Sequence, residues 1–128
     1  MATGGCLCGA VRYAVTGELR PVVYCHCDQC RRTTGHFMAA TAAPIERFSL
    51  TEDRSLRWYA SSNMAKRGFC GDCGATLFWR RNDAPRISIA AGTLDSGHGV
   101  SADRHIYADT QGEYYELTDG LPVYPESD

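Results

Sequence analysis

Arg67-Gly68-Phe69-Cys70-Gly71-Asp72-Cys73-Gly74-Ala75-Thr76-Leu77-Phe78-Trp79 holds two short β-rich runs joined by a C-x-x-C turn. Arg67 and Phe69 lead into Cys70, and Thr76 to Trp79 leads away from Cys73. The spacing lets a tight turn present two sulfurs and backbone amides to one ion. Gly71 within the turn and Gly74 after it supply permissive backbone. Working outward, the same grammar repeats: short runs rich in β-formers, cut by Gly, Pro and Asn-Asp signals. Val11, Tyr13 and Val15 share one face. Val22 to Tyr24, Phe37 to Thr41, Arg47 to Leu50, Leu56 to Tyr59, Arg86 to Ala90 and His105 to Tyr107 read as further strands. Only Asp28 to Thr34 reads as a helix, of one or two turns. Short strands at intervals of roughly 8 to 12 residues predict a mainly β fold, a small antiparallel β-sandwich or open barrel. Tyr13, Phe69, Phe78, Trp58 and Trp79 are expected in the core or half-buried on the sheets. Tyr124 to Asp128 is expected to be a loose tail.

The chain has 128 residues, 44% hydrophobic and 22% charged, with 15 acidic against 13 basic side chains. That reads as one globular domain, 1–128 with a core at about 4–122, long enough to bury a core of its own. The net charge of -2 argues against a phosphate-backbone binder, so no nucleic-acid partner is expected. No apolar run approaches the roughly 20 residues of a membrane helix, so no membrane partner is expected either. Met1-Ala2-Thr3-Gly4-Gly5 opens without a basic or apolar stretch, which argues against a signal peptide. A cytoplasmic setting is expected.

The outstanding feature is 7 cysteines, grouped as Cys6-x-Cys8, Cys25-x-Cys27-x-x-Cys30 and Cys70-x-x-Cys73. An odd count without an export signal argues against a disulfide framework. Grouping of all seven argues against inert core cysteine. Thiolates select zinc or an iron–sulfur centre, and the characteristic iron–sulfur run is missing. Residues i and i+2 of an extended segment face one side, so Cys6 and Cys8 can share an ion, and so can Cys25 and Cys27. Seven divides into four and three. Cys6, Cys8, Cys70 and Cys73 would close a structural zinc site, stabilising the fold by on the order of 10 kcal/mol. Cys25, Cys27 and Cys30 leave a zinc with an open position, the pattern of a catalytic site, and one from which the ion can be lost on purification. Two alternatives stay open for this trio: a fourth ligand from His26, His36, His98 or His105, or a redox pair Cys27/Cys30.

Gly5-Cys6-Leu7-Cys8-Gly9-Ala10-Val11-Arg12-Tyr13, Cys25-His26-Cys27-Asp28-Gln29-Cys30-Arg31-Arg32-Thr33-Thr34-Gly35 and Phe69-Cys70-Gly71-Asp72-Cys73-Gly74, with Ala91-Gly92-Thr93-Leu94-Asp95 and His105-Ile106-Tyr107, resemble the glutathione-dependent formaldehyde-activating enzyme family, also called centromere-protein-V-like. The resemblance runs from Gly4 to about Pro122. It implies an Mss-four-like zinc-bearing β fold, a structural zinc on Cys6, Cys8, Cys70 and Cys73, and a catalytic zinc on Cys25, Cys27 and Cys30. It also implies carbon–sulfur lyase chemistry on a small thiol–aldehyde adduct, in the founding activity glutathione and formaldehyde. Asp109-Thr110-Gln111-Gly112-Glu113-Tyr114-Tyr115 departs from a family pattern that often has a basic residue and a Trp there.

Three thiolates on a zinc dication carry a net charge of -1, which suits binding a fourth sulfur better than making hydroxide. The expected substrate is a small-molecule thiol. Arg31 and Arg32, directly after the trio, are candidate anchors for its carboxylates, ahead of the pairs Lys66-Arg67 and Arg80-Arg81. His26 or His36 are candidates for proton transfer. Asp28 and Gln29 are candidates for hydrogen bonding at the mouth. The competing reading, from a different class, is a non-enzymatic binding module with both zincs structural. An open trio beside a cleft favours the enzyme. A closing His36 favours the module.

Overall fold

The structure, a computed structural model, describes residues 1–127. Its strands are β1 (Ala2–Gly5), β2 (Arg12–Val15), β3 (Val22–Cys25), β4 (Met38–Pro44), β5 (Phe48–Glu52), β6 (Leu56–Ala60), β7 (Ala65–Cys70), β8 (Thr76–Arg81), β9 (Arg86–Ala90) and β10 (Ala102–Ile106). One α-helix, α1, spans Asp28–Thr34. No described helix is long and apolar enough to cross a membrane.

The strands form two open sheets, β1-β2-β5 and β10-β3-β4-β9-β8-β7-β6. The mainly β expectation holds, and neither sheet closes into a barrel. The sheets face each other across Val11, Tyr13 and Val15 on one side and Leu77, Phe78, Ile87 and Ile89 on the other, all buried. Tyr13 stacks on Phe48 at 5.8 Å between centroids and meets Phe78 edge-on at 5.4 Å. Its hydroxyl reaches Thr93 Oγ1 at 2.7 Å, which satisfies the one polar atom that this ring buries. Period-two burial along β2 and β9 is the alternation read in the sequence. Trp58 and Phe69 are more exposed than expected, at 37% and 36%.

Three local expectations fail. Gly4-Gly5, one of the Gly signals expected to cut the runs, lies in strand β1, and the glycines are needed for closeness rather than for turning. A Cβ on Gly4 would stand 2.3 Å from the Tyr13 hydroxyl, and one on Gly5 would stand 2.4 Å from the Val11 carbonyl. The large sheet is not wholly antiparallel, because β10 pairs with β3 in parallel. The chain end is not loose. The amides of Tyr107, Ala108 and Asp109 donate to the carbonyls of Glu126, Tyr124 and Pro125, and the Tyr124 amide donates to His105. Backbone pairing leaves no trace in side-chain pattern, so this strap along β10 was invisible in the sequence. Asp128 lies outside the described residues.

Candidate metal centres and their surroundings

The hairpin β7–β8 carries Cys70 at the end of β7 and Cys73 in its turn, where the Cys73 amide donates to Cys70 Sγ at 3.4 Å. Gly74, at φ 78°, takes the left-handed conformation the turn requires. Cys6 and Cys8 lie in the loop after β1, a turn rather than the extended segment expected, with the Val11 amide donating to Cys6 Sγ at 3.2 Å. Sγ atoms of Cys6 and Cys8 are 3.7 Å apart, as are those of Cys8 and Cys70. A disulfide would need roughly 2 Å. Four sulfurs set tetrahedrally at 2.3 Å from one zinc stand roughly 3.8 Å apart, and that is the spacing found. Cys6 and Cys70 are buried at the margin of the main core.

The second cluster lies where β3 runs into α1. Cys25 ends β3. Cys27 caps the helix, its Sγ accepting the Cys30 amide at 3.3 Å, and Gly35 ends the helix at φ 83°. This cap brings the sulfurs of Cys27 and Cys30 to the end of β3, where Cys25 stands. The four ligand atoms of Cys6, Cys8, Cys70 and Cys73 lie within 4.8 Å of one another, and so do the three of Cys25, Cys27 and Cys30. All seven cysteines are free of disulfides. Among the described residues no His, Asp or Glu joins the trio. His36 is exposed, with Nδ1 against the Tyr114 hydroxyl at 2.7 Å, and His98 Nδ1 accepts the Val100 amide.

The crowding of three sulfurs sets their proton affinities apart. Cys27 falls well below the ordinary thiol range, held there by hydrogen bonds from Cys25 and Cys30, with the Cys30 amide and the Arg67 charge adding. Cys25 is pushed up by the same sulfur contacts and by burial. Three sulfurs within 4.8 Å of one another, joined among the described residues by no His, Asp or Glu, are a donor set for a soft cation.

Arg67 is the main residue of this site that the sequence reading underrated. It is 5% exposed. Its Nε donates to Gln29 Oε1 at 2.8 Å, and one terminal nitrogen lies 3.4 Å from Cys30 Sγ. A guanidinium buried beside sulfur rather than carboxylate favours the ionised form of that sulfur, and Gln29 satisfies another of its donors. The adjacent basic pair Lys66-Arg67 was the only signal, and strand alternation sends its members to opposite faces: Lys66 lies over the Trp58 ring at 4.4 Å.

Arg31 is bonded to Asp28 at 2.5 Å and lines a groove of about 600 Å³ with Gln111, Gly112, Glu113 and Tyr114. Arg32 is more exposed and 3.5 Å from Asp28. Gln29 is held between Arg67 and the Ser61 carbonyl. His26 is fully buried, with Nδ1 at 2.6 Å from the Tyr115 hydroxyl and Nε2 at 2.8 Å from His105 Nδ1. His105 Nε2 lies 2.9 Å from Asp119 Oδ2. Burial, with the neighbouring His105 and His36, pushes His26 down to about 4, so the ring is neutral at pH 7. Sequence reasoning missed Asp119, named His105 only as a possible fourth ligand, and touched Tyr115 only in the stretch that departs from the family pattern; the structure joins all three to His26.

These features define a class, a two-sheet β protein with one four-sulfur and one three-sulfur ligand cluster. The model of the glutathione-dependent formaldehyde-activating enzyme family matches residues 1–110. The chain belongs to that family. It is also similar to an uncharacterised lyase of Schizosaccharomyces pombe, 28% identical over 123 residues that cover 94% of this chain and 88% of the relative. The crystal structure of a Rhodobacter sphaeroides protein has the same fold, with a TM-score of 0.59 at 23% identity, covering 95% of this chain and 98% of that one.

Proposed function

We propose that the chain is a zinc-dependent carbon–sulfur lyase acting on the adduct of a small thiol with an aldehyde. Cys25, Cys27 and Cys30 hold the catalytic ion in this reading, and Cys6, Cys8, Cys70 and Cys73 hold a structural one. The observation that carries the reading is the asymmetry of the clusters: four ligand sulfurs in one, and three beside a buried guanidinium in the other. Family membership and the lyase name of the Schizosaccharomyces pombe relative support it. Zinc at the trio supplies a fourth position that a sulfur can take and favours the ionised form of that sulfur.

The remaining work falls to the chain. Arg67 brings the -1 of three thiolates and a dication to zero. One more anionic sulfur then leaves the site at -1 rather than -2, a smaller cost in a half-buried place. Arg31 and Arg32, both paired with Asp28 on the helix beside the trio, are the residues we assign to hold a substrate carboxylate through a planar guanidinium. Glutathione, with two carboxylates, is the thiol that suits them, and formaldehyde is the aldehyde. The competing module reading asks for a closing His36, and His36 instead bonds Tyr114.

The test is proton NMR of glutathione–formaldehyde exchange with zinc-loaded protein. The wild-type chain should speed the exchange and Cys27→Ser should not. Equal rates with and without wild-type protein, or full activity in Cys27→Ser without metal at the trio, overturn the reading.

A further inference from the structure

We propose that Glu113 sets the specificity of this site by selecting, with Arg31, a thiol that carries a free α-amino acid group. Arg31 takes the carboxylate of that group and Glu113 the ammonium beside it. The inference rests on the lyase reading and adds the residue that chooses among thiols. Its basis is a groove of about 600 Å³ with a charge of opposite sign on each wall, a size that takes a small ligand. Arg31, on α1, forms one wall, and Gln111, Gly112, Glu113 and Tyr114, from the segment after β10, form the other.

Both walls are tied to the trio. Arg31 follows Cys30 directly on α1. Thr110, just before the second wall, donates its hydroxyl to the His26 carbonyl at 3.3 Å, and the Tyr115 hydroxyl, just after it, lies 2.6 Å from His26 Nδ1. His26 stands between Cys25 and Cys27, so this wall is fastened at both ends to the segment that carries two of the three sulfurs. Between the fastenings its shape is fixed. Gln111 Nε2 donates to the Tyr115 carbonyl at 3.0 Å, and the Tyr114 hydroxyl lies 2.7 Å from His36 Nδ1. Gly112 is buried where a Cβ would stand 2.4 Å from the Tyr114 ring. Glu113 is thus the exposed charge of a braced wall.

The two charges do not neutralise each other. Arg31 gives one terminal nitrogen to Asp28 at 2.5 Å, and its Nε has no hydrogen-bond partner, so its fork of donors is only partly used. The Glu113 carboxylate has no hydrogen bond or ion pair among the described residues. An acid and a base that line one groove unpaired are complementary to a zwitterion. A thiol with a carboxylate alone meets Arg31 but is repelled by Glu113, and one with an amine alone meets the reverse. An α-amino acid carries both signs on one carbon and suits both walls. Arg31 by itself would accept any anionic thiol; the repulsion from Glu113 supplies the discrimination. Glutathione has such a zwitterionic group at one end and a lone carboxylate at the other, which gives it a single favoured orientation in the groove.

NMR titration of the zinc-loaded chain with S-methylglutathione and with its N-acetyl derivative reads the preference without turnover. Neither probe has a thiol, so the metal stays out of the comparison. The wild-type chain should bind the free amine about 10-fold more tightly, with the amide signals of Gly112, Glu113 and Tyr114 moving. Glu113→Gln should abolish the preference by weakening the free amine alone, Glu113→Asp should keep most of it, and Glu113→Lys should reverse it. Arg31→Gln should weaken both probes alike. Zinc content and melting temperature should be unchanged in the Glu113 variants, which separates selection from folding. Equal affinities in the wild-type chain, binding of neither probe, or a preference that survives Glu113→Gln overturns the inference. Glutathione–formaldehyde exchange is followed on the same samples. Exchange without the preference overturns the inference and leaves the lyase reading standing. The preference without exchange overturns the lyase reading and leaves the groove selective for the zwitterion.

Discussion

Cys8 and Cys70 stand 3.7 Å apart across 62 residues of chain, whereas Cys25, Cys27 and Cys30 fall in one short segment around a helix cap. The first cluster joins the loop after β1 to the β7–β8 hairpin, and its sulfurs take hydrogen bonds from backbone amides. The second closes almost no loop. An ion at the first restrains the unfolded chain by about 2 kcal/mol more than one at the second, on loop length alone. The second cluster has what the first lacks: a buried guanidinium on one sulfur, a groove beside its helix, and a buried histidine between two of its ligands. Long-range sulfur bracing the fold and local sulfur surrounded by charge are different devices made from one residue type.

The largest expected effect breaks that comparison from the structural side. Cys70→Ser should lose one zinc equivalent and the cooperative unfolding transition, since a four-thiolate zinc contributes on the order of 10 kcal/mol. Circular dichroism with metal analysis checks it. Cys27→Ser should lose the other equivalent and turnover, yet keep a cooperative transition within a few degrees of the wild-type melting temperature. Arg67→Met should weaken metal binding at the trio by roughly 10- to 100-fold and leave the four-sulfur site unchanged, as read by competitive chelator titration. The smallest effect is a control. Gly35→Ala and Gly74→Ala each force a side chain into a left-handed backbone, at φ 83° and 78°, and each should cost about 1 kcal/mol by denaturant unfolding. A large difference between them would mean that backbone strain, not ligation, separates the two regions.

What the sequence revealed follows the range of the interactions. The trio and its helix were legible because Cys25 to Gly35 is a local unit: a cysteine cap, seven helical residues and a glycine stop. The Cys70-x-x-Cys73 hairpin was legible for the same reason. The match of Cys6 and Cys8 with Cys70 and Cys73 came from counting ligands, although the turn that delivers the first pair was misread as extended. The strap from Tyr114 to Glu126 was illegible. Its anchors are backbone amides and contacts of long sequence separation, such as His26 with Tyr115, 89 residues away. Arg67 was half legible, since its type and place were seen but not its burial against Cys30.

The most direct test of the split between the clusters is stepwise metal removal from the zinc-loaded chain, with released zinc and circular dichroism followed together. The account predicts two zinc equivalents per chain, leaving in two steps. The first step abolishes turnover and spares the fold, and the second melts it. A single ion per chain, or loss of the fold with the first equivalent, would contradict it.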